Sequence, residues 1–344
     1  MSVVREGLLD GFLDREGGLH GFLGTAPRRT SFSIDDPATF LLAPGGPVGA
    51  ASSPRSADAG GLAADLRRAV TDPRAVRSWF VTATESGGRA PRTKGHIVKV
   101  VVIGGTGLIG SKVVARLGEH GHEAVAAAPN TGVNTLTGEG LAEALDGADV
   151  VVDVSNSPSF ADDAAMEFFR TATTNLLEHS AKAGVGHHVA LSVVGTDRLQ
   201  DSGYFRAKAA QEAMIRESGR PYSIVHATQF FEFVKSIADF STVDGQVRLP
   251  SSLIQPMAAD DVAAGVGRTA VGQPVGGIRE IAGPEQFGLD ALIRKGLAAE
   301  GDPREVVTDE QAPYFGVRID ERTLVPGPGA QLGEITFDKW LARQ

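Results

Sequence analysis

Apolar residues follow two alternating patterns from residue 98 onward. Runs of β-branched residues, such as KVVVI at 99–103 and VVVDV at 150–154, are typical of buried strands. The pattern predicts strands at 99–103, 123–128, 150–154, 188–192 and 222–226. Apolar positions three and four apart predict helices at 108–120, 141–145, 162–183 and 203–218. The alternation predicts an α/β fold, a doubly wound parallel Rossmann-type sheet with helices on both faces.

Residues 1–97 lack this periodicity and predict a low-complexity N-terminal extension. The segment 43–61, APGGPVGAASSPRSADAGG, is dense in Gly, Ala, Pro and Ser, which predicts disorder. One short helix is predicted within 62–79, although Pro73 interrupts it. We therefore expect a Rossmann domain at 98–344, with a small irregular C-terminal substrate lobe from about residue 229 to residue 344.

The composition narrows the classes of partner. A net charge of -9 and a pI near 5.4 disfavour nucleic acid and anionic membranes, which call for basic patches. The chain has no cysteine, so disulfides, iron–sulfur ligation and thiol nucleophiles are excluded, and we expect no metal site. No apolar run approaches the roughly 20 residues that span a bilayer. A cytoplasmic protein acting on a small molecule is the expectation.

A glycine-rich turn, GGTGLIG at 104–110, directly follows the first strand and opens the first helix. Gly104 would permit the tight turn, Gly107 would let a dinucleotide pyrophosphate approach the backbone, and Gly110 would allow close packing of helix and strand. The alternative is a tight turn that binds no ligand. The cofactor contacts expected in this turn are Gly104, Thr106, Gly107, Leu108, Ile109 and Gly110.

The end of the second strand bears on the choice of dinucleotide. NAD-specific folds usually place an acidic residue there to hold the ribose hydroxyls, but this strand ends in AAAPNT at 126–131. Asn130, Thr131 or Lys112 could donate to a 2′-phosphate, although no arginine stands nearby. NADP(H) is therefore favoured over NAD(H). Ser155, after the third strand, is a further expected cofactor contact.

The chain resembles the short-chain dehydrogenases/reductases, specifically the atypical NmrA-like branch of NAD(P)H-binding proteins. The motifs that carry the resemblance extend over 98–344 and are IGGTGLIG at 103–110, TTNLLEHSAKAGVGHHVALS at 173–192, YFRAK at 204–208, PYSIVHATQFFEF at 221–233 and QPMAADDV at 255–262. Val98 and Lys99 stand where the family's Met-Lys start would fall. A GTG codon can encode valine or initiate translation, so we expect residues 1 to about 95 to be dispensable.

The resemblance implies a catalytic Tyr204, Lys208 and Ser192. Tyr204 and Lys208 are four residues apart, which places them on one face of a helix. An ammonium beside the phenol would lower the tyrosine pKa from near 10, and the phenol would then exchange a proton with the substrate. Ser192 would donate to the same substrate oxygen, and Lys208 would also hold the nicotinamide ribose. The alternative is an exposed helix with a solvated lysine.

The family implies an NAD(P)H-dependent oxidoreductase that transfers hydride to a small carbonyl or quinone-like substrate. Two alternatives stay open: a non-catalytic redox sensor that regulates a protein partner, and an NAD-dependent epimerase-like isomerase. Phe231 and Phe233 could equally be core residues, and His226 stands where relatives commonly carry Arg. The candidate substrate contacts are Phe160, Gln229 and Phe230, followed by Phe231, Phe233 and Met257.

Overall fold

The computed structural model describes residues 97–344. The N-terminal extension expected at 1–97, and the helix expected within 62–79, lie outside the described residues apart from residue 97. The strands are β1 Lys99–Ile103, β2 Glu123–Ala127, β3 Val150–Asp153, β4 His187–Val193, β5 Tyr222–Ala227, β6 Thr242–Val243, β7 Gln246–Leu249, β8 Leu253–Ile254, β9 Gly277–Ala282, β10 Phe287–Gly288, β11 Val306–Thr308 and β12 Gln331–Leu332. The helices are α1 Leu108–Glu119, α2 Leu141–Leu145, α3 Asp162–Ala183, α4 Gly203–Glu217, α5 Val234–Phe240, α6 Ala259–Ala270, α7 Leu289–Glu300 and α8 Phe337–Leu341.

The central sheet has seven strands in the order β12-β9-β5-β4-β3-β1-β2. Every pair of neighbours in it is parallel. The predicted α/β class and parallel Rossmann-type sheet are confirmed. The predicted elements agree with the observed ones to within one residue at each end, because each is marked by a local run or period.

Apolar cores lie on both faces of this sheet. On one face, α1 and α6 pack on β1 and β3 through residues such as Val113 and Val266. On the other face, α2 and α3 cover the same strands through Leu141 and Leu176, and α4 covers β4 and β5 through Ile215. Side chains that alternate along a strand point to opposite faces, so a run such as VVVI must be buried on both sides.

The C-terminal lobe is not one continuous segment, in contrast to the expected boundary near residue 229. Strand β9 returns to pair with β5, and α6 packs against α1, so both belong to the central domain. The lobe consists of α5, α7, α8 and two small sheets around a separate core that includes Phe231, Leu292 and Phe337. Strand β9 extends the central sheet, and α6, where the resemblance implied a helix after residues 255–262, covers one face of that sheet.

A chain beginning at Val98 should fold and bind dinucleotide as the full chain does. Val98 accepts from the Glu123 N–H at 3.1 Å, and β1 pairs only with β2 and β3, so the sheet is completed by later residues. Thermal unfolding and dinucleotide titration of the two chains test this. A shortened chain that fails to fold or to bind would show that residues 1–97 are required.

Candidate functional site

The carboxyl ends of β1, β3, β4 and β5 meet at one edge of the central sheet. The loops that follow these strands carry the glycine turn, Ser155 and Gln229, and Tyr204 lies in the first turn of α4, which follows β4. In doubly wound sheets, ligands bind in the crevice outside this edge. The topology therefore brings the sequence-predicted residues to the same side of the domain.

The glycine turn between β1 and α1 requires one left-handed backbone conformation and two close backbone approaches. Gly104 has φ +75°, in the left-handed region that favours glycine. A Cβ on Gly110 would overlap the carbonyl oxygen of Gly104, and a Cβ on Gly105 would lie 2.6 Å from the Cα of Ala126 on β2. Gly105, which the sequence analysis did not single out, thus provides the close approach to the sheet that was assigned to Gly110.

Gly107 differs from these glycines because the protein itself leaves room for a side chain there. Its φ is -78°, and the one atom near an added Cβ is the Gly104 oxygen at 3.3 Å. Gly107 precedes α1, where the first N–H groups of a helix have no intrahelical acceptor. The Gly107 N–H donates to the Gly104 carbonyl at 3.0 Å, so the free N–H groups are those that follow it. The open backbone cradle at Gly107 fits a pyrophosphate, which Leu108 and Ile109 would hold through their N–H groups.

The loop after β2 leaves one exposed candidate for the ribose. Asn130 Oδ1 accepts from Thr106 Oγ1 at 3.1 Å, which joins this loop to the glycine turn and leaves the Asn130 amide N–H groups as donors. Thr131 Oγ1 instead lies within 2.9–3.1 Å of three backbone atoms of its own turn. Lys112 pairs with Asp260 of α6 at 3.2 Å. Thr131 is not a free donor, because the capping of its own turn uses its hydroxyl. Lys112 keeps two N–H groups beyond its pair with Asp260, so it remains available as a donor to a 2′-phosphate.

Ser155 belongs to a buried chain of polar contacts. Its N–H and hydroxyl both donate to Asp153 Oδ1, at 3.0 and 2.6 Å. The other Asp153 oxygen accepts from Gln211 Nε2 at 2.9 Å, and Gln211 Oε1 accepts from Lys208 Nζ. The expected cofactor contact Ser155 is therefore linked through Asp153 and Gln211 to the expected catalytic lysine.

Tyr204 lies at the N-terminal turn of α4 among aromatic rings. Its hydroxyl donates to Asn156 Oδ1 at 3.0 Å, in the exposed loop after β3. The ring centroids of Phe160 and Phe169 lie 5.2 and 6.0 Å from that of Tyr204. Burial raises the pKa of the Tyr204 phenol above its ordinary value near 10. The expected lowering of this pKa by Lys208 is not found.

Lys208 is directed into the protein. Its ammonium donates to the Leu191 carbonyl at 2.9 Å and to Gln211, and it lies 4.5 Å from the centre of the Phe169 ring. Burial lowers the pKa of Lys208 to about 8, against the opposing effect of the Asp153 and Glu212 carboxylates. Only 2% of Lys208 is exposed, so the alternative of a solvated lysine does not hold.

Ser192 is buried at the end of β4 beside a carboxylate. Its hydroxyl donates to Glu212 Oε1 at 2.5 Å, and the same oxygen lies 2.8 Å from His226 Nε2. Arg216 donates to the other oxygen, Oε2, at 2.5 Å. Burial alone would raise the pKa of Glu212, but the hydrogen bonds from His226 and Ser192 lower it. The proton expected to reach a substrate oxygen is thus directed at Glu212 in this structure.

The candidate substrate residues separate into two groups. Phe160 is 49% exposed beside Tyr204, and Phe230 is half-buried and stacks on Phe233 at 5.3 Å. Phe231 is fully buried in the lobe core against Phe337, which supports the core interpretation for that residue. Two candidates are largely hidden within the protein, namely Gln229 and Met257.

Sequence reasoning missed four residues around Tyr204 and Lys208. Gln211 and Glu212 follow Lys208 by three and four residues on α4, so helical spacing could have indicated them. Asn156 and Phe169 come from the loop after β3 and from α3, and no local pattern connects them to α4. The site is therefore a polar cluster held by α3, α4 and three strand ends.

A separate groove lies apart from Tyr204 and Lys208. It encloses about 540 Å³ between Arg198, Gln255, Gln286 and the segment 322–332. It is not lined by Tyr204 or Lys208, so its volume does not define the space next to the phenol.

Lys208 should make the free energy of unfolding rise between about pH 8 and pH 10.5. Below pH 8 the folded chain bears the cost of a buried charge, whereas above it the folded chain releases a proton that the unfolded chain retains. Stability thus increases with pH over this interval. Urea unfolding at several pH values tests the slope, with Lys208→Met as the variant that should lack it. A slope shared by both proteins would contradict the assignment.

Comparisons with known proteins agree with this geometry. Residues 104–266 match the NAD_binding_10 family model, described as NAD(P)H-binding. The structure is similar to MoeE5 in complex with UDP-glucuronic acid and NAD, with 20% identity over 72% of this chain and 97% of that chain and a TM-score of 0.56. No curated protein matches the chain.

Two further solved structures share the fold. DesIV, a dTDP-glucose 4,6-dehydratase from Streptomyces venezuelae with NAD and TYD bound, is 21% identical over 72% of this chain and 95% of its own, with a TM-score of 0.54. UDP-glucose 4-epimerase from Thermotoga maritima is 15% identical over 71% and 96%, with a TM-score of 0.52. At these identities the likeness concerns the fold alone.

The fold and the glycine turn define a Rossmann-type dinucleotide-binding protein. Residues 104–266 match an NAD(P)H-binding family model, so the NAD(P)H-binding part of the expected resemblance is confirmed. In the part of the chain that the structure describes, no helix is long and apolar enough to cross a membrane.

Proposed function

We propose that this protein is an NmrA-like, NAD(P)H-dependent oxidoreductase that reduces a small carbonyl or quinone-like substrate. The observation that carries the proposal is the Tyr204 hydroxyl, held by Asn156 on the same sheet edge as the Gly107 cradle. A phenol at that edge stands where a substrate beside the nicotinamide would meet it. A cytoplasmic location is part of the proposal.

A reduced dinucleotide held at the glycine turn would supply the hydride that the substrate accepts. Tyr204 gives its proton to the carbonyl oxygen, and solvent returns a proton to the phenolate. Because burial raises the pKa of Tyr204, the phenol is protonated at neutral pH, which is the form that reduction requires. Phe160 beside the phenol would exclude water from one side of the substrate.

Lys208 and Ser192 support Tyr204 in this proposal. The Lys208 ammonium has three N–H donors, of which Leu191 and Gln211 use two, so the third is free for the nicotinamide ribose. Ser192 would reach the substrate oxygen by exchanging its present bond to Glu212. Lys208→Ala should therefore weaken both dinucleotide binding and turnover.

The direct experiment follows dinucleotide absorbance during incubation with a panel of quinones and aldehydes. Loss of the reduced-cofactor signal that depends on protein and substrate supports the oxidoreductase. Dinucleotide binding without loss of signal against every member of the panel would contradict it. Gly107→Val, which should not bind the cofactor, controls for chemical reduction in solution.

NADPH should bind at least as tightly as NADH. The residues directly after β2, 128–131, include no acidic residue that would repel a 2′-phosphate, and the Asn130 amide is available as a donor. Fluorescence titration with the two reduced cofactors measures the ratio. A preference for NADH of about tenfold, or about 1.4 kcal/mol, would reverse the assignment.

A non-catalytic redox sensor is the second candidate, and one observation favours it. Ser192 donates its proton to Glu212 rather than toward the crevice, and Lys208 is directed at Leu191. A sensor would bind dinucleotide without turnover and would change its association with a protein partner. An epimerase-like isomerase is a third candidate, and its support is a likeness of fold to one solved UDP-glucose 4-epimerase.

A further inference from the structure

Three glutamines are buried in the part of the chain that the structure describes, and two of them have partners for their amide groups. Gln211 donates to Asp153 and accepts from Lys208. Gln255 donates to the Gly283 carbonyl at 2.7 Å and accepts from Gln286 at 2.8 Å. Gln229 is 8% exposed, and neither its Nε2 nor its Oε1 has a hydrogen-bond partner among the described residues.

The backbone fixes Gln229 at the carboxyl end of β5. The N–H of Thr228 donates to the Ile281 carbonyl at 3.1 Å, and the Gln229 carbonyl accepts from the Met257 N–H at 2.8 Å. At the neighbouring strand end, Val194 donates to the Ala227 carbonyl at 2.9 Å. Gln229 therefore lies between the ends of β4 and β9, on the edge that carries the glycine turn and Tyr204.

A buried amide without hydrogen-bond partners lowers the stability of the folded protein, and nothing in the fold requires an amide there. Each unpaired donor or acceptor loses its hydration without a compensating bond, whereas a leucine of similar size would lose nothing. Buried unpaired groups in native proteins call for an explanation, and an absent ligand is one. Phe230 and Met257, which adjoin Gln229, are apolar and offer no side-chain hydrogen-bond donor.

We propose that Gln229 recognises a carboxamide. A primary amide presents one acceptor and one donor side by side, so two antiparallel hydrogen bonds would satisfy both ends of the Gln229 amide. A plain ketone, ester or quinone would satisfy only Nε2. The carboxamide has two sources, the nicotinamide ring of the cofactor and an amide-bearing substrate. The inference deepens the proposed function. The experiment on the nicotinamide source, the cofactor arm, requires only that the protein binds dinucleotide, and the experiment on the substrate source, the substrate arm, also requires turnover.

The cofactor arm compares NADPH and NADH with their 3-acetylpyridine analogues, in which a methyl group replaces the amide NH2. If the nicotinamide is the source, the unaltered protein binds the natural cofactors about tenfold or more tightly than the analogues. Gln229→Leu removes that discrimination. ADP-ribose, which lacks the nicotinamide ring, should bind the unaltered protein and Gln229→Leu equally. The comparison of the natural cofactors with their analogues can be made in the unaltered protein alone and needs no variant.

The substrate arm compares reduction of 3- and 4-formylbenzamide with that of the corresponding methyl formylbenzoates. If the substrate is the source, kcat/KM favours the amides by about tenfold or more, and Gln229→Leu abolishes the preference. Discrimination in the cofactor arm without any turnover would uphold the inference while the oxidoreductase proposal fails. If neither arm shows discrimination between the amide and its analogue, the inference is overturned, whether or not the protein turns over a substrate.

Thermal unfolding separates recognition from a merely structural role. Gln229→Leu should raise the unfolding midpoint of the ligand-free protein, because it removes two unpaired buried groups. The matched control is Thr173→Val in α3. It also removes a buried polar group without a partner, here a hydroxyl, and should leave amide discrimination unchanged. A Gln229→Leu variant that keeps full discrimination would overturn the assignment, whatever its stability.

Discussion

Tyr204→Phe should reduce turnover by roughly a hundredfold or more, the usual scale for loss of a general acid, while dinucleotide affinity persists. The substitution keeps the ring and its packing against Phe160 and Phe169 and removes only the hydroxyl. Steady-state kinetics on a substrate found in the panel measures the turnover, and fluorescence titration measures the affinity. Binding and chemistry should thus separate.

Tyr222→Phe is the matched control for this substitution. Its hydroxyl donates to the Gly276 carbonyl at 3.1 Å, at the start of β5 and away from the carboxyl edge of the sheet. Turnover in this variant should stay near that of the unaltered protein. If Tyr204→Phe also retained full turnover of a genuine substrate, Tyr204 would not be the proton donor.

Gly107→Val should abolish dinucleotide binding and leave the fold intact. The backbone at Gly107 has φ -78°, which any residue can adopt, and one oxygen at 3.3 Å is the only close neighbour of an added Cβ. A branched side chain would instead occupy the cradle where the pyrophosphate must approach the helix N-terminus. Titration measures binding, and circular dichroism with thermal unfolding measures folding.

Gly118→Val is the matched control on the same helix. Gly118 is exposed, and no atom lies within 4 Å of an added Cβ. The variant should bind dinucleotide as the unaltered protein does, although valine is a weak helix former. A folded Gly107→Val protein with unchanged affinity would show that the pyrophosphate does not lie over Gly107.

The fold was largely predictable because its signals are local. The VVV runs of β1 and β3 and the helical period of α3 each mark an element without reference to distant residues. The return of β9 to the sheet was missed, because its six residues GIREIA carry a weak alternation. Its pairing with β5 joins residues that are far apart in the sequence, which local spacing does not encode.

The candidate site was predicted in part. The spacing of Tyr204 and Lys208 placed them on one helix, and the glycine turn follows its strand as expected. The direction of the Lys208 ammonium was not predictable, because Leu191 and Phe169 come from other elements. His226, whose role the resemblance left uncertain, pairs with the Glu212 carboxylate that also holds Ser192.

The most direct test of the central claim is transfer of deuterium from NADPH labelled at C4 of the nicotinamide. With an aldehyde as substrate and each C4 position labelled in turn, mass spectrometry of the alcohol product should find one deuterium at the former carbonyl carbon for one label and none for the other. Gly107→Val should give no labelled product. Tight binding of NADPH with no deuterium in any alcohol product of the aldehydes, and no oxidation of NADPH by the quinones, would contradict the account and leave a dinucleotide-binding protein without hydride transfer.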